Sequence, residues 1–324
     1  MNPLAAAVVG LGSIGQGYDY DPAPDDRVLT HAGAFAAHPR IALIAGVDPD
    51  PRQRERFTRK FSAPAYPDVA TMQEKCRPDV VALCAPTNQH CAVFKQLLAG
   101  APRAVICEKP IAPTLTEGRE MVRLAAERRC VLMVNYMRRF EPGTRALAEA
   151  IRQGRFGEIY KGTVWYSKGL LNNGSHFIDL LCFMLGDRAE VEYVRAGRDW
   201  NGNDPEPDCC LRFGAACIYL LAAREECYSL YSVELVGTKG VASYLDGGAE
   251  IRARFAAADP ACPGGTVLQP SADGFESAMG RYQWHALEAL LRHLDTGQPL
   301  ASDGDSALHT LGIIDAILSR LQTA

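Results

Sequence analysis

Three glycines near the start of the chain have the spacing of a phosphate-binding loop. The segment Gly10-Leu11-Gly12-Ser13-Ile14-Gly15 directly follows a short apolar run, Leu4 to Val9. In such a loop the first glycine permits a tight turn, the second lets the backbone approach a pyrophosphate, and the third allows close packing of a strand and a helix. The N-terminus of that helix adds partial positive charge toward the phosphates. The motif predicts dinucleotide binding through Gly10, Gly12, Ser13, Ile14 and Gly15.

Asp48 ends the next apolar run, Ile41 to Val47, where a carboxylate can accept hydrogen bonds from ribose hydroxyls. Its charge repels a 2'-phosphate, so NAD is predicted in preference to NADP, while the nearby Arg52 keeps NADP possible. Asp48 follows Gly15 by 33 residues, where about 20 is usual. The polar stretch Tyr18 to Arg27 supplies the surplus, and we interpret it as an inserted loop that covers the cofactor or the substrate.

Alternating strands and helices must position these residues. Up to about residue 130, short apolar runs alternate with amphipathic stretches of helical length, which indicates βαβ units. The predicted strands cover 4–9, 41–47, 79–84 and 103–107. The predicted helices cover 52–60, with Asp50 as its cap, 88–98 and 114–129. Residues 1–125 are therefore predicted to form an α/β Rossmann domain with a doubly wound parallel sheet.

The pattern changes in the second part of the chain. Successive strands with short turns are predicted across 191–255, which favours an antiparallel sheet. Helices are predicted at 142–153, 175–185, 275–294 and 303–321. Residues 126–324 are therefore predicted to form a substrate-binding and oligomerisation domain of the α+β class, with a large, open and mostly antiparallel sheet.

Composition excludes several other classes of protein. Hydrophobic residues make up 48% of the chain, charged residues 22%, and the net charge is -4, so a globular small-molecule enzyme is favoured over a nucleic-acid partner. The apolar runs are too short for a membrane span and no signal peptide is recognised. The cysteines are scattered and are interpreted as reduced thiols, which predicts a cytoplasmic protein. No cluster has zinc-ligand spacing, so no metal is predicted.

A second chemical motif, Glu108-Lys109-Pro110, follows the predicted strand 103–107. Together with the glycine loop it resembles the glucose-fructose oxidoreductase and inositol dehydrogenase (Gfo/Idh/MocA-like) family. The resemblance covers nearly the whole chain and continues through 85–90, 135–140 and 157–159. It implies that Lys109 points at the substrate. It also implies that Pro86, Thr87, His90 and Glu108 lie beside the cofactor and that Asn135, Arg138 and Arg139 read substrate groups.

The segment Asn172 to Asp179 resembles the family's D-x-G-x-H-x-x-D stretch, and this makes His176 the candidate proton-transfer residue. A position at a helix start would keep the imidazole neutral and able to accept a proton. Asp179 is predicted either to orient His176 or to support the fold. Asn172 replaces the family's aspartate, and because an amide cannot accept a proton, Lys109 and His176 are left as the proton machinery. Asn172, Asn173 and His176 complete the predicted substrate contacts.

The resemblance implies an NAD(P)-dependent oxidoreductase that transfers a hydride between nicotinamide and a hydroxyl or keto carbon of a sugar, polyol or nucleotide sugar. Two alternatives stay open: a glycosidase-type enzyme that uses NAD without net redox change, and a catalytically silent sensor, which the loss of the aspartate at Asn172 favours. An apolar sheet face is a liability in a monomer. We therefore expect a homodimer, or a homotetramer of such dimers, formed through the C-terminal sheet.

Overall fold

The computed structural model describes residues 2–21, 26–186, 189–271 and 275–323. The chain forms two compact units, Met1–Phe140 with Gly280–Leu308, and Glu141–Met279 with His309–Ala324. This division differs from the expected boundary at residue 125. The strand at 131–134 pairs with the strand at 104–107 and so stays with the first sheet, and a late segment of the chain returns to the first unit.

The helices and strands are labelled in chain order. The α-helices among the described residues are α1 (His31–Ala37), α2 (Pro51–Phe61), α3 (Val69–Lys75), α4 (His90–Leu98), α5 (Leu115–Arg128), α6 (Pro142–Arg152), α7 (Ser175–Leu185), α8 (Tyr282–Thr296) and α9 (Gly304–Thr323). The strands are β1 (Leu4–Val9), β2 (Ile41–Val47), β3 (Ala65–Tyr66), β4 (Val80–Leu83), β5 (Ala104–Cys107), β6 (Val131–Val134), β7 (Ile159–Tyr166), β8 (Ala189–Trp200), β9 (Asp204–Phe213), β10 (Ala216–Ala222), β11 (Ser232–Gly237), β12 (Gly240–Leu245), β13 (Glu250–Ala258) and β14 (Thr266–Pro270). None of the described helices combines the length and the apolar composition that a membrane crossing requires.

The first unit contains a parallel sheet with the order β3-β2-β1-β4-β5-β6. The predicted doubly wound α/β sheet is confirmed. From β1 the chain adds strands first on one side (β2, β3) and then on the other (β4, β5, β6), so the strand order switches between β1 and β4. In folds of this class ligands bind outside the carboxyl ends of the strands at such a switch point. Val8 and Val80 on these central strands are fully buried and share one core with Phe35 of α1 and Leu290 of α8.

The helix ends follow local capping rules. Asp50 caps α2 as predicted, because its carboxylate accepts a hydrogen bond from Arg52 N at 2.8 Å. Helix α8 begins at Tyr282, later than the predicted residue 275. Its Tyr282 hydroxyl donates to the carbonyl oxygen of Leu29 at 2.9 Å. This late helix is therefore part of the first unit, and the predicted assignment of all late helices to the second domain differs from the structure.

The second unit contains an eight-stranded sheet with the order β14-β13-β12-β11-β7-β10-β9-β8. Only β7 and β10 pair in parallel; the other neighbours are antiparallel. The predicted, mostly antiparallel sheet is thus confirmed. Helices α6 and α7 and the end of α9 cover one face of it, where Leu147, Ile178 and Ile314 pack with Val164 and Ile218 in one buried cluster.

The opposite face of this sheet carries exposed aromatic side chains. Tyr219 on β10 is opposite Cys210 on β9, which in turn is opposite Tyr193 on β8, and opposite residues share a face. Tyr193 is 54%, Tyr219 40% and Trp165 of β7 38% exposed. Strand β11 begins at Ser232.

Candidate functional site

Gly10, Gly12 and Gly15 form the turn that follows β1. Gly10 has a φ of +93°, and a Cβ there would lie 2.5 Å from the carbonyl carbon of Cys84. A Cβ on Gly15 would lie 2.1 Å from the carbonyl oxygen of Gly10. The packing of the chain itself therefore requires glycine at both positions. A Cβ on Gly12 would meet no described atom within 4 Å. The space beside Gly12 is open to a ligand, and the loop fits a pyrophosphate.

The helix predicted behind this loop is only one turn long. Ser13–Gly17 forms a π-helical turn, in which the N–H groups of Gln16 and Gly17 both donate to the carbonyl oxygen of Gly12. A full α-helix, α1, begins only at His31. A single turn carries a much smaller dipole than a full helix. Phosphate binding here would depend on the backbone N–H groups of the loop rather than on the predicted helix dipole.

Asp48 lies directly beyond β2 and links that strand to the glycine loop. Its Oδ2 accepts a hydrogen bond from Leu11 N at 2.8 Å, and its Oδ1 accepts one from Asp50 N at 2.8 Å. Because each carboxylate oxygen can accept two hydrogen bonds, both keep capacity for ribose hydroxyls. Arg54 Nη1 donates to the carbonyl oxygen of Asp48 at 2.8 Å. The structure thus places Arg54 beside Asp48, where the sequence suggested Arg52.

The inserted loop predicted at 18–27 is fastened to the first unit at its described ends, while residues 22–25 lie outside the described part of the chain. The Asp19 carboxylate accepts a hydrogen bond from Thr30 Oγ1 at 2.5 Å. Lys60 of α2 donates to the carbonyl oxygen of Asp19. These contacts tie the start of the loop to Thr30, which precedes α1, and to α2.

Four polar side chains form a network at the carboxyl ends of β5 and β6. Oε1 of Glu108 lies 2.8 Å from His31 Nε2 and accepts a hydrogen bond from Asn135 Nδ2 at 2.7 Å. Gln283 Oε1 accepts the second Asn135 N–H at 3.0 Å, and Gln283 Nε2 lies 3.2 Å from His31 Nε2. His31, Asn135 and Gln283 are each at most 2% exposed. The network therefore holds the side chain of Glu108 in one place.

Electrostatics keep Glu108 ionised. Burial acts to raise the pKa of Glu108, but hydrogen bonds from His31 and Asn135 and the charges of His31 and Lys109 hold that pKa below its ordinary 4.5. Asn135 Oδ1 is buried and has no hydrogen-bond partner among the described residues. Glu108 was predicted to contact the cofactor and Asn135 the substrate. The structure shows the two side chains hydrogen-bonded to each other, with Asn135 Oδ1 left without a partner among the described residues.

Lys109 extends from the turn after β5. Its backbone N–H lies 3.4 Å from Glu108 Oε2, so the network described above anchors the turn that presents the lysine. His90 braces the same region: its Nε2 lies 2.9 Å from the carbonyl oxygen of Ala85, and its Nδ1 lies 3.1 Å from that of Pro110. Burial lowers the pKa of His90. Both ring nitrogens face backbone carbonyl oxygens. His90 therefore helps to position the turn that contains Pro86 and Thr87.

In the second unit, His176 lies in a helical segment held by a buried carboxylate. Asp204 accepts hydrogen bonds from the N–H groups of Leu171 and Asn172, both at 2.9 Å. The π-helical turn Gly169–Gly174 continues into α7 without leaving helical backbone angles. His176 therefore lies inside a continuous helical segment, and the predicted effect of a helix N-terminus on its ring does not apply.

Asp179 is buried one turn beyond His176. Its Oδ1 accepts a hydrogen bond from Thr310 Oγ1 of α9 at 3.1 Å. This bond favours the structural role over the orienting role, which the sequence left open. Asn172 and Asn173 are half-buried on the turn before α7.

The two arginines predicted to bind substrate are buried in the first unit. Arg138 and Arg139 lie on the short helical turn Met137–Phe140 and are 7% and 4% exposed. Arg139 Nη1 donates to the carbonyl oxygen of Ala301 at 3.1 Å. Arg139 thus fastens the segment before α9.

Comparison with known proteins agrees with this architecture. Residues 4–136 match the model of the GFO/IDH/MocA family, an oxidoreductase family with an NAD-binding Rossmann fold. A D-glucoside 3-dehydrogenase of Escherichia coli is 29% identical over 206 residues, and the match covers 57% of this chain and 55% of that protein. An inositol 2-dehydrogenase of Rhizobium meliloti is 23% identical over 308 residues, covering 88% of this chain and 91% of that protein.

A solved structure has the same fold. The WlbA dehydrogenase from Bordetella pertussis, crystallised in complex with NADH and UDP-GlcNAcA, aligns with a TM-score of 0.79 at 19% identity. The alignment covers 98% of this chain and 95% of that one. The Rossmann unit and the large sheet of the second unit therefore both have counterparts in that dehydrogenase.

Proposed function

We propose that the chain, whose residues 4–136 match the model of this family of NAD-binding oxidoreductases, transfers a hydride between a nicotinamide cofactor and a CH–OH carbon of a sugar, polyol or nucleotide sugar. One observation carries the proposal. The open glycine loop, Asp48 and the Glu108-Lys109 turn follow the carboxyl ends of β1, β2 and β5 in one parallel sheet. That edge is where sheets of this class bind their ligands.

The residues of the first unit suit a dinucleotide. Gly12, Ser13, Ile14 and Gly15 would hold the pyrophosphate through backbone N–H groups, and Asp48 would accept hydrogen bonds from the ribose. Gly10, whose N–H donates to the carbonyl oxygen of Val47 at 2.8 Å, would contribute the tight turn. When bound, NAD supplies the hydride acceptor. Pro86 and Thr87 would border the nicotinamide, and His90 would hold their turn in place. Glu108 acts through its neighbours rather than on the cofactor, since His31 and Asn135 already engage it.

Lys109 and His176 are proposed to carry the proton chemistry. In the oxidation direction, Lys109 donates a hydrogen bond to the substrate hydroxyl oxygen and stabilises its developing negative charge, while His176 accepts the hydroxyl proton. In reduction the roles reverse. The Glu108 network supports Lys109 by fixing the turn that presents it, and Asp204 supports His176 by fixing the preceding turn. Asn172 and Asn173 are proposed to hydrogen-bond substrate hydroxyls, with Asn135, Arg138 and Arg139 as further contacts.

The substrate class rests on relatives and on the polar residues available. The related proteins are a D-glucoside 3-dehydrogenase and an inositol 2-dehydrogenase. Both names describe oxidation of a ring carbon that bears a hydroxyl group. The half-buried amides of Asn172 and Asn173 suit neutral hydroxyls, since an amide offers both a donor and an acceptor. We therefore propose a polyhydroxylated ring as the substrate.

A substrate screen tests this proposal. The full chain is incubated with NAD or NADP and with panels of polyols, aldoses and nucleotide sugars, while nicotinamide absorbance and the product mass are both recorded. A redox enzyme forms one NADH for each molecule of ketone. Product without net NADH would instead identify a glycosidase-type reaction, and ligand binding without product would identify a sensor; either result would contradict the proposal.

We also propose that the exposed face of the second sheet is covered by a second copy of the chain. The exposed Trp165, Tyr193 and Tyr219 support this, because a contiguous aromatic face is unfavourable in water. Light scattering at micromolar concentration should give a dimer or tetramer mass, whereas a concentration-independent mass of 35.2 kDa would contradict it. None of the eleven cysteines, all of which lie in the described part of the chain, forms a disulfide bond, and this supports a reducing, cytoplasmic location.

A further inference from the structure

Three potential metal ligands meet on the exposed face of the second sheet, within the second unit. They are Glu192 on β8, Cys210 on β9 and Cys217 on β10. Oε2 of Glu192 lies 3.9 Å from Cys210 Sγ and 3.8 Å from Cys217 Sγ. The three ligand atoms all lie within 4.8 Å of one another. Two thiols and a carboxylate therefore surround one point in space.

The strand register explains this meeting. Cys210 is opposite Tyr219 and Cys217 is opposite Arg212 in the β9–β10 pair, so the two cysteines are diagonal neighbours on one face. On the other side of β9, the register shifts between Val191 and Tyr193. Glu192 is the extra residue of this bulge. Bulges re-aim side chains, and this one brings the Glu192 carboxylate to the thiols.

The separations suit a tetrahedral ion. With Zn–S bonds of about 2.3 Å and Zn–O bonds of about 2.0–2.2 Å, tetrahedral angles give S···O separations of about 3.5–3.7 Å. The observed separations, 3.8 and 3.9 Å, exceed these by a few tenths of an ångström. Small side-chain rotations would close that gap. Thiolate ligands select Zn²⁺ and other soft cations over Mg²⁺ or Ca²⁺.

The charges around the three ligands suit a divalent cation. Arg212 Nε donates to Oε1 of Glu192 at 2.5 Å, so Oε2 is the oxygen turned to the thiols. Such a partner orients a ligating carboxylate. In the single chain Glu192 is exposed and Cys217 half-buried, so an ion can bind before the second copy proposed above covers this face. Two thiolates, one carboxylate and a divalent ion sum to one negative charge, which Arg212 offsets.

We propose that Glu192, Cys210 and Cys217 bind one Zn²⁺ ion per chain, with a fourth coordination position open to water. The ion would join the edge strand β8 to β9 and β10. Zinc binds the thiolate form of cysteine, so binding of the ion releases protons.

Cobalt titration of the full chain in a non-thiol reductant tests the site. The expected result is one Co²⁺ per chain, thiolate-to-cobalt charge-transfer absorption, and displacement of cobalt by Zn²⁺. The double variant Cys210→Ser with Cys217→Ser should lose this absorption. The matched control, Cys227→Ser with Cys262→Ser, removes two exposed thiols and should bind like wild type.

Glu192→Gln provides a second test, because this exposed substitution is tolerated even if the buried Cys210 is not. Its cobalt affinity should fall by about tenfold or more. The proposal is overturned if wild type shows no charge-transfer absorption with equimolar cobalt, or if the double variant at 210 and 217 folds and keeps that absorption. Loss in the control at 227 and 262, or unchanged affinity in Glu192→Gln, would overturn it equally.

Discussion

Asn135 Nδ2 donates a hydrogen bond of 2.7 Å to Oε1 of Glu108, joining the end of β6 to the turn after β5. The same carboxylate oxygen meets His31, which the chain reaches through the inserted loop. Glu108 is thus the meeting point of three separate segments. We propose that Glu108 acts by holding the turn that presents Lys109.

The first prediction concerns pH and stability. The pKa of Glu108 is lowered in the folded chain, so its stabilising effect is complete above the ordinary 4.5 and is lost as pH falls through the folded-state value. Glu108→Gln should lower stability by about 1–3 kcal/mol at neutral pH, since the amide oxygen can still accept hydrogen bonds but lacks the negative charge that strengthens those from His31 and Asn135. Thermal unfolding from pH 7 to pH 3 should show this deficit shrinking below pH 4.5.

A surface carboxylate provides the control for this experiment. Glu120 pairs with Lys95 in an exposed ion pair, and Glu120→Gln should change stability much less than Glu108→Gln because solvent screens the pair. A Glu108→Gln deficit that stays constant down to pH 3, or equals that of Glu120→Gln at neutral pH, would refute the network's role.

The second prediction distinguishes a glycine that leaves room for the ligand, Gly12, from one that the internal packing of the chain requires, Gly15. Gly12→Ala should fold with a nearly unchanged melting temperature, because no described atom lies within 4 Å of the new Cβ. Its dissociation constant for NAD should rise by about tenfold or more, since the methyl group enters the space of the pyrophosphate. Calorimetric titration measures the affinity. NAD binding equal to that of wild type would show that the loop does not hold the cofactor.

Gly15→Ala is the matched variant. Its Cβ would lie 2.1 Å from the carbonyl oxygen of Gly10, so the backbone must shift and stability should fall by about 1–3 kcal/mol. Equal melting temperatures for the two alanine variants would contradict the different roles assigned to the two glycines.

The sequence predicts much of this molecule for a clear physical reason. Strands β1 and β2 are continuous apolar runs, and the structure gives them the bounds that the pattern indicates. Each motif follows such a run, so its placement at the carboxyl edge follows as well. Such apolar runs predict strands well because a strand that is buried on both faces of a parallel sheet must be apolar along its length.

Other features depend on contacts that no local pattern records. His31 and Gln283 meet Asn135 across 104 and 148 residues, and neither belongs to a motif. The predicted start of α7 at Ser175 is correct, but the sequence pattern does not reveal the π-helical turn before it, which puts His176 inside a helical segment. The cluster at Glu192 depends on a bulge, which shifts register without a sequence signature.

The third prediction concerns the turn before His176. Asp204→Ala removes the acceptor for the N–H groups of Leu171 and Asn172. Turnover should fall by about tenfold or more, because a misplaced catalytic group loses rate steeply, while NAD affinity, set in the other unit, stays unchanged. Asp208→Ala removes a comparable acceptor, for Ala222 N, and should keep turnover. Equal turnover in both variants would exclude a positioning role for Asp204.

The fourth prediction concerns cofactor choice. Asp48→Ala removes the carboxylate that disfavours a 2'-phosphate and leaves Arg54 beside the site. The ratio of NADP to NAD affinity should rise by about tenfold or more. Asp50→Ala, which removes only the helix cap, should leave that ratio unchanged. Titration with both cofactors gives the ratio, and an unchanged value in Asp48→Ala would remove Asp48 from the ribose site.

The proton chemistry assigned to Lys109 and His176 is tested most directly by measuring turnover and NAD affinity separately in Lys109→Ala and His176→Ala. Lys95→Ala and His293→Ala serve as matched controls, on α4 and α8. With the substrate found by the screen, the account predicts a fall in turnover of about 100-fold or more in each catalytic variant, unchanged NAD affinity, and wild-type turnover in both controls. Near-wild-type turnover in Lys109→Ala and His176→Ala would contradict it.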